Sequence, residues 1–512
     1  MAASPEGNSA RLEELCRQSM SRRRVILASN RGPVDYHLTR DGQLQARRGA
    51  GGVVTALSSL SQYVELDWIA SAMGEGDRRM AREAPGGRIR VSHEGEDLYL
   101  RFVVNPRGTY HKFYSIFCNP LLWFLQHYMW SSARTPNIDS KVYDAWENGY
   151  VAVNEAFARA VVAGAAESEL PPLIMLNDYH LYLASAYIRQ QIPDAVIQHF
   201  IHIPWPAPSY WQLLPDFMRR AIVQSLSTAD IVGLQTRRDA RSFLQCCQTF
   251  IDDVEVDYRQ QTIRTGEHIT QVKAYPVSVD VTGLKQTASL AAVRDYQAKL
   301  RPLCGEQTIV RVDRLEPSKN IIRGFRAFDI LLERYPQFRG KVKLLAFLVP
   351  TRTHLRQYQR YTQDVFQQIE AINNKYQTAD WHPVDFFYEN NYLQAIAAMC
   401  LYDVLLVNAV IDGMNLVAKE GPTVNDRDGV LVLSEAVGAW EQLGQNTLTV
   451  APADVEGTVQ ALYTALAMPA DEKHRRAAEL KRSIEEEDIT DWLLHLLEDT
   501  VSLLAQRSRS TT

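Results

Sequence analysis

Short runs of apolar and β-branched residues recur along the chain, and most are followed at once by a polar or charged residue. Such runs are typical of strands that are buried on both faces of a parallel sheet. Helix-like segments separate them, for example at 291–300 and over most of 453–508. The pattern therefore predicts an α/β fold. The predicted strands are 25–29, 173–176, 196–201, 231–233, 272–279, 308–312, 343–349, 402–408 and 430–434.

The strand-and-helix pattern occurs twice, which predicts two α/β domains. A chain of 512 residues has room for two domains of about 200 to 250 residues each. Residues 281–306 lead from the first set of strands to the second. We place the first domain at 1–285 and the second at 286–485. A C-terminal helix at 486–512 is expected to cross back to the first domain.

Composition narrows the class of protein. Hydrophobic residues make up 46% and charged residues 22%, the balance of a folded globular enzyme or binding protein. A net charge of −5 gives no reason to expect a nucleic-acid or membrane partner. The 6 cysteines show neither metal-ligand spacing nor a disulfide-like framework, which favours a reducing compartment. No apolar stretch has the length of a membrane span, so we expect a cytoplasmic protein.

The residues that follow the predicted strand 402–408 carry the strongest candidate chemistry. From Asp412 to Glu420 they read Asp-Gly-Met-Asn-Leu-Val-Ala-Lys-Glu. In a parallel sheet this loop meets the N-terminus of the next helix, where free N–H groups and the helix dipole favour an anion. Gly413 would let a diphosphate approach, and a helix from Asn415 would place Glu420 about 7.5 Å further along, within reach of a ribose. An ordinary loop with a capping aspartate explains the spacing equally well.

Other predicted strands also end in charged or hydrogen-bonding residues. Arg31, Asp178 and His202 each follow a strand of the first half. The carboxyl ends of such strands converge on one crevice, so these three are candidate site residues, although a lone histidine is more often structural. Arg314 and Lys319 flank a Pro-Ser turn after the first strand of the second half. Two cations at a helix start are suited to clamp a diphosphate.

Two further features each allow two interpretations. Gly51 and Gly52 precede an apolar segment, and their backbone N–H groups could close on a diphosphate, but a plain turn fits as well. The chain lacks the G-x-G-x-x-G sequence after its first strand, which argues against a nicotinamide dehydrogenase. Tyr114 and Trp123 lie in an aromatic-rich helical stretch. Such stretches usually form core, but aromatic rings also line sugar pockets.

Taken together, these segments resemble the trehalose-6-phosphate synthases over about residues 25–500. The resemblance implies the GT-B fold, in which two facing Rossmann-like domains hold the active site in the cleft between them. The first domain would bind the acceptor and the second the nucleotide sugar. The markers are, in chain order, Ser29-Asn30-Arg31, Gly51-Gly52, Tyr114 with Trp123, Asp178-Tyr179-His180, His202-Ile203-Pro204, Arg314 with Lys319, and Asp412 to Glu420.

The resemblance also implies a role for each marker residue. The residues implied as catalytic are Arg314, Lys319, His202 and Asp412. Those implied to bind the donor are Gly51, Gly52, Gly413, Met414, Asn415, Leu416 and, at the ribose, Glu420. Those implied to bind the acceptor are Arg31, Tyr114, Trp123, Asp178 and Arg352.

The implied reaction is a retaining transfer of glucose from UDP- or GDP-glucose to glucose 6-phosphate, which gives trehalose 6-phosphate. In the family's front-face substitution, the departing diphosphate itself accepts the proton of the acceptor hydroxyl. Two cations replace the metal ion of other transferases, so we expect neither a metal nor another cofactor. The sequence leaves open the base of the donor and whether the protein is a homo-oligomer.

The sequence also departs from the family pattern. Asn320 follows Lys319 where glycine is usual, and residues 204–206 and 421–428 are similar to the validamycin-pathway pseudoglycosyltransferase. That enzyme joins a cyclitol to an amino-cyclitol phosphate, so it is an alternative for the donor and the acceptor. Residues 178–180 and 412–415 favour the synthase instead. A catalytically silent homologue, a further alternative, would lack Arg314, Lys319 or Asp412, and all three are present.

Overall fold

A computed structural model describes residues 5–39, 41–48, 57–93 and 96–510. The described chain forms two compact units. One holds the chain up to Val277 and again from Thr490 onward, and the other holds Ser278–Ile489. From the sequence we placed these divisions at 285/286 and 485/486.

The first unit is built on a ten-stranded sheet in the order β10-β11-β12-β9-β8-β7-β1-β4-β6-β5. Its neighbours from β12 to β6 pair in parallel, and the outer strands β5, β10 and β11 are antiparallel. The strands are β1 Arg24–Ser29, β2 Val34–Leu38, β3 Leu44–Arg48, β4 Leu66–Ser71, β5 Ile89–His93, β6 Glu96–Val103, β7 Pro172–Asn177, β8 Val196–Phe200, β9 Ile231–Leu234, β10 Val254–Asp257, β11 Thr262–Thr265 and β12 His268–Ala274. Of these, β2 and β3 form a separate hairpin. The chain order of the parallel strands reverses at β1, so β1 and β7 flank a topological switch point.

Helices surround this sheet. The α-helices are Pro5–Leu15, Glu75–Glu83, Arg107–His111, Trp123–Gln126, Ser140–Ala145, Ala152–Ala166, Ala184–Gln191, Pro208–Trp211, Asp216–Leu226, Arg237–Phe250 and Ile489–Ser510. Wider π-helical turns span Cys16–Met20, Lys112–Leu122 and Trp146–Val151, and 3₁₀ turns span Ser59–Gln62, Pro85–Gly87 and Tyr179–Leu181. The last α-helix belongs to this unit because its Trp492 packs on Phe200 and its Asp499 accepts hydrogen bonds from Lys273 and Tyr275.

The second unit is a six-stranded parallel sheet in the order β15-β14-β13-β16-β17-β18. In chain order this is 3-2-1-4-5-6, the Rossmann order, so the switch point lies between β13 and β16. The strands are β13 Gln307–Arg314, β14 Val342–Val349, β15 Val384–Phe387, β16 Val404–Val407, β17 Val430–Ser434 and β18 Leu448–Val450. The sheet confirms the α/β fold and the second parallel sheet predicted from the sequence.

The helices of the second unit cover both faces of its sheet. The α-helices are Val281–Ala288, Ala291–Leu300, Ile321–Arg334, Arg356–Tyr376, Tyr392–Met399, Val417–Val424, Trp440–Leu443, Val455–Ala467 and Ala470–Glu486, with 3₁₀ turns at Arg301–Leu303, Pro317–Lys319, Pro336–Phe338 and Gly444–Asn446. Phe325, Phe328 and Leu332 of Ile321–Arg334 recur at helical spacing and are fully buried against the sheet.

The helix Val417–Val424 lies very close to the strand that precedes it. A β-carbon at Gly421 would stand 2.3 Å from Leu405 Cδ2 in β16 and 3.4 Å from Tyr402 Cε1. Leu405 and Tyr402 are fully buried, so neither can move without disturbing the core. The glycine therefore sets how closely this helix, which starts beside the candidate site, approaches the sheet.

We expect Gly421→Ala to destabilise the protein by about 1–3 kcal/mol, because overpacking outweighs the better helix propensity of alanine. Gly164→Ala is the matched control, since Gly164 also lies within a helix and its nearest contact is Ile26 Cδ1 at 3.7 Å. Denaturant unfolding of both variants checks this. Equal stability of the two variants would contradict the close packing at Gly421.

Candidate functional site

The loops that follow β13 and β16 meet at the switch point of the second unit. Lys319, after β13, forms an ion pair through its Nζ with the carboxylate of Asp412, after β16. Both side chains are largely buried, at 10% and 17% exposed. The backbone N–H of Val410 also donates to the carbonyl of Ser318 at 2.7 Å. The two loops, far apart in sequence, are thus joined by side chain and backbone.

A fully buried arginine lies beneath the Lys319 loop. The guanidinium of Arg311, in β13, donates to Asp313 Oδ2 at 2.8 and 3.0 Å. It also donates to the carbonyls of Lys319 and Ile321 at 3.2 and 3.3 Å. A buried charge is tolerated when it is paired and hydrogen-bonded in this way. Arg311 therefore fixes the backbone from which Lys319 projects.

Asn320 has the backbone conformation that its position demands. Its φ is +57°, in the left-handed region that asparagine tolerates better than most residues, which explains how it replaces the usual glycine. Its side-chain amide donates to the carbonyls of Asn408 and Pro452 at 2.8 and 2.7 Å. In return, Asn408 Nδ2 donates to the carbonyl of Asn320 at 3.3 Å. The pair ties the loop after β13 to the end of β16.

Two arginines of the second unit converge on one carboxylate. Glu316 is fully buried; Arg314 Nη2 lies 3.0 Å from its Oε1, and Arg352 Nη1 lies 3.1 Å from its Oε2. Arg314 is half exposed, whereas Arg352 is 10% exposed and also donates to the hydroxyl of Tyr358 at 2.6 Å. Arg352 follows β14, the neighbour of β13, so adjacent strand ends supply the two cations.

The loop after Asp412 differs from the helix that the sequence suggested. The helix begins at Val417, and Asn415 is left-handed with φ +62°, so the interpretation of 415–420 as one helical rise is wrong. Gly413 and Met414 are buried. Asn415 is 7% exposed, and its Nδ2 has no hydrogen-bond partner in the described part of the chain. Leu416 caps the helix, so an unpaired amide donor stands beside the free N–H groups of the helix start.

The pKa values of two neighbouring residues on this helix, Glu420 and Lys419, are shifted in opposite directions. Burial raises the pKa of the Glu420 carboxyl to about 7. Burial lowers the pKa of the adjacent Lys419 ammonium to about 8, against the opposing pull of Glu487. Lys419 is fully buried and donates to Ser278 Oγ at 3.3 Å. Titration of Glu420 near neutral pH is typical of a functional carboxylate.

In the first unit, the strand ends bring Asp178 and His202 together. The backbone N–H of His202 donates to Asp178 Oδ1 at 3.2 Å, and its ring Nε2 lies 3.2 Å from Asn177 Oδ1. Burial, followed by repulsion from His199, lowers the pKa of His202 to about 3, so the ring is neutral near pH 7. Asp178 has φ +72°, a strained conformation for a non-glycine residue.

Arg31 and Tyr114 form a second cluster in the first unit. The guanidinium of Arg31, after β1, interacts with the Tyr114 hydroxyl. Tyr114 stacks on His180 with ring centroids 6.1 Å apart and on Tyr110 with centroids 5.7 Å apart. Tyr110 donates to Asn30 Oδ1 at 3.2 Å. A cation and parallel aromatic rings at a strand end form a surface suited to a phosphorylated sugar.

The structure therefore groups most of the sequence-predicted residues into clusters at the strand ends of each unit. The second unit joins Lys319 with Asp412 and sets Arg314 beside Arg352, while the first joins Asp178 with His202. Trp123 is 2% exposed and stacks on His127, so its ring lies within the fold. Gly51 and Gly52 lie outside the described residues.

Sequence reasoning missed three residues of the second unit. Arg311 and Asp313 alternate with Val310 and Val312 within a strand, and that alternation of charge is the signal that could have identified them. Glu316 lies in a loop rich in charges, where no pattern distinguishes a buried carboxylate from a solvated one. The described residues contain no group of three or more histidine, cysteine or acidic side chains arranged to hold a metal ion. No helix in that part of the chain is both long and apolar enough to cross a membrane.

Two Rossmann-type units in one chain, each with charged side chains at its switch point, define the two-domain GT-B class of glycosyltransferase. Solved structures of that class superpose on most of the chain. The chain belongs to glycosyltransferase family 20, whose family model matches residues 23–501. This confirms the resemblance found in the sequence.

Curated relatives cover nearly the whole chain. An alpha,alpha-trehalose-phosphate synthase [UDP-forming] from Schizosaccharomyces pombe is 30% identical over 92% of this chain and 88% of its own. A bifunctional trehalose-6-phosphate synthase/phosphatase from Thermoproteus tenax is 30% identical over 94% of this chain, which spans only 64% of that longer protein. A validamine 7-phosphate valienyltransferase from Streptomyces hygroscopicus subsp. jinggangensis is 28% identical over 89% of both chains.

Solved structures agree with the fold. The alpha,alpha-trehalose 6-phosphate synthase from Burkholderia multivorans has a TM-score of 0.82 and 26% identity over 96% of this chain and 98% of its own. The enzyme from Burkholderia xenovorans in complex with glucose-6-phosphate has a TM-score of 0.78 and 27% identity over 93% and 99%. An E. coli structure bound with UDP-2-fluoro glucose has a TM-score of 0.78 and 25% identity over 94% and 99%.

The raised pKa of Glu420 predicts a pH-dependent stability. A carboxyl whose folded pKa of about 7 exceeds its ordinary 4.5 favours folding fully below pH 4.5, and that contribution is lost as the pH rises through 7. We expect Glu420→Gln to match the wild type near pH 4.5 and to be the more thermally stable protein above pH 7. Melting temperatures at both pH values measure this. A constant difference between the two proteins would contradict the shift.

Proposed function

We propose that this glycosyltransferase moves glucose, with retention of configuration, from UDP-glucose to glucose 6-phosphate and so forms trehalose 6-phosphate. The observation that carries the proposal is the Lys319–Asp412 pair at the switch point, beside a helix start with an unpaired buried amide. The relative named UDP-forming, and the solved structures bound with UDP-2-fluoro glucose and glucose-6-phosphate, support these substrates.

The second unit is the donor side in this proposal. Lys319 and the more exposed Arg314 face the diphosphate, and the start of the helix Val417–Val424 adds N–H donors and a favourable dipole. Asn415 gives its unpaired amide to a phosphate oxygen. Asp412 accepts hydrogen bonds from the hydroxyls of the donor sugar, and Glu420 from those of the ribose. Together these groups stabilise the charge that grows on the leaving diphosphate.

The first unit is the acceptor side. Arg31 binds the phosphate of glucose 6-phosphate, Tyr114 packs on the sugar, and Asp178 accepts from its hydroxyls. His202 is neutral near pH 7 because of its lowered pKa, so it acts as a hydrogen-bonding partner of the donor sugar and not as a proton donor. With no protein base assigned, the departing diphosphate takes the proton of the attacking hydroxyl, and the glycosidic bond forms on the face that diphosphate leaves.

A substrate panel tests the proposal. The protein is incubated with UDP-glucose or GDP-glucose and either glucose 6-phosphate or unphosphorylated glucose, and the products are identified by mass. We expect a disaccharide phosphate from UDP-glucose with glucose 6-phosphate, and little product without the acceptor phosphate. Absence of a disaccharide phosphate with both nucleotide sugars would refute the proposal.

Arg314→Ala and Lys319→Ala should each lower kcat by about 10²- to 10³-fold, because each removes one cation from the leaving group. Lys375→Ala is the control, since Lys375 pairs with Asp329 and Glu333 on the surface of the same unit. Steady-state kinetics with saturating acceptor measure the effect. Near-normal turnover in both site variants would exclude the leaving-group role.

We also propose that transfer needs no divalent ion, because Arg314, Lys319 and the helix start supply the positive charge that a metal would otherwise bring to the diphosphate. Activity in excess EDTA should stay within about twofold of activity with added magnesium. Loss of activity in EDTA that magnesium restores would show that these cations do not suffice.

A further inference from the structure

We propose that Glu316 is a positioning residue that holds Arg314 and Arg352 in one fixed arrangement. It thereby aligns the cation that faces the leaving diphosphate, Arg314, with a cation that faces the acceptor phosphate, Arg352. This rests on the proposed function, which assigns Arg314 to the diphosphate and, as the family resemblance implies, Arg352 to the acceptor. Both arginines contact this one carboxylate.

The geometry gives each arginine its own oxygen. Arg314 Nη2 is 3.0 Å from Oε1 and Arg352 Nη1 is 3.1 Å from Oε2. Glu316 is fully buried, so protein groups and not bulk water hold its charge. Its backbone carbonyl also accepts the N–H of Lys319 at 3.1 Å, at the start of the 3₁₀ turn Pro317–Lys319. One residue thus contacts three cationic residues of the site.

The charge balance explains why a carboxylate is needed there. The two guanidinium groups beside Glu316 repel each other, and its carboxylate offsets that repulsion by accepting a hydrogen bond from Arg352 and forming an ion pair with Arg314. The cluster keeps a net charge of +1, which is available to an anionic ligand. Each guanidinium has five N–H donors, so an arginine that gives one nitrogen to Glu316 keeps others for a phosphate oxygen.

The backbone indicates that Arg352 is held in place. Its φ is +47°, a left-handed conformation that an arginine adopts at a cost. The contacts with Glu316 and Tyr358 keep the side chain over the Tyr358 ring, whose centroid is 5.5 Å from the guanidinium carbon. Loss of the carboxylate would remove one of the charged groups that restrain the side chain.

Glu316→Gln removes the negative charge of the side chain and keeps its size. An amide has one acceptor oxygen and one NH₂ donor, so one of the two arginines must face a donor in place of an oxygen. Glu316→Asp keeps both oxygens on a shorter side chain and should recover part of any loss. Asp403→Asn is the matched control, because Asp403 also pairs with an arginine, Arg427 at 3.2 Å, and lies at the opposite, amino end of β16.

We expect Glu316→Gln to lower kcat and to raise the KM for glucose 6-phosphate, each by about 10- to 100-fold, as for lost hydrogen bonds to charged groups. Asp403→Asn should leave both within about twofold at a similar change in melting temperature. Glu316→Asp should recover part of the loss in kcat and part of the loss in KM together. In the wild-type background Arg314→Ala and Arg352→Ala should be non-additive, and in the Glu316→Gln background they should be additive.

The outcomes separate the two proposals. If Arg314→Ala lowers kcat and Arg352→Ala raises the acceptor KM, but Glu316→Gln behaves like Asp403→Asn, the positioning role is wrong and the proposed function stands. If Glu316→Gln changes only kcat or only the acceptor KM, the two arginines are not set as one unit and the inference is likewise overturned. If the wild type transfers no glucose to glucose 6-phosphate, both proposals fall.

Discussion

The buried guanidinium of Arg311 is the interaction on which the candidate site of the second unit depends. It holds Asp313 in its own strand and the carbonyls of Lys319 and Ile321 in the loop that follows. Removal of one partner of such a buried pair typically destabilises a protein by about 3–5 kcal/mol, because the other charge is left without compensation. A β-carbon at Gly324 would stand 2.4 Å from Arg311 Nη1, so the next helix leaves just enough room for the group.

Because Arg311 holds this loop, the cation that the loop carries is fixed in place and not mobile. Lys319 projects from backbone that Arg311 and the Asn320–Asn408 pair fix on two sides, and it then pairs with Asp412. The same loop carries Glu316. Long cationic side chains lose conformational entropy when they bind an anion. Because the protein has already restrained them, less of that loss falls on the binding of a ligand, which is the physical meaning of a preorganised site.

The sequence was informative where a residue's position in the fold follows from local pattern. Apolar runs located the parallel strands, and the topology of parallel sheets then placed Arg31, Asp178, Arg314 and Asp412 at carboxyl ends. The sequence was uninformative where tertiary packing decides whether a residue is buried. The aromatic stretch that holds Trp123 fits core and sugar pocket alike, and only its 2% exposure shows that the ring is buried. Glu316 pairs with Arg352 from the loop after another strand, a contact that no local pattern reports.

Backbone strain lies at the same strand ends as the charges. Asp178, Asn320, Arg352 and Asn415 all have positive φ, and each follows a parallel strand at the carboxyl edge of its own sheet. A left-handed residue turns the chain sharply, which aims the flanking groups away from the strand direction and toward the crevice above the sheet. Such conformations cost about 1–3 kcal/mol each, and less for the asparagines, which tolerate the left-handed region; Asp178, with ψ 173°, lies outside that region.

Arg352 differs from the two asparagines among these four, because arginine gains nothing locally from a positive φ. The surrounding structure must therefore supply the compensation, and the hydrogen bonds of Arg352 to Glu316 and to the Tyr358 hydroxyl contribute to it. A strained arginine held by a buried carboxylate is poorly explained by stability alone, since a relaxed residue with no buried charge would be more stable there. The arrangement is consistent instead with selection for where the guanidinium points.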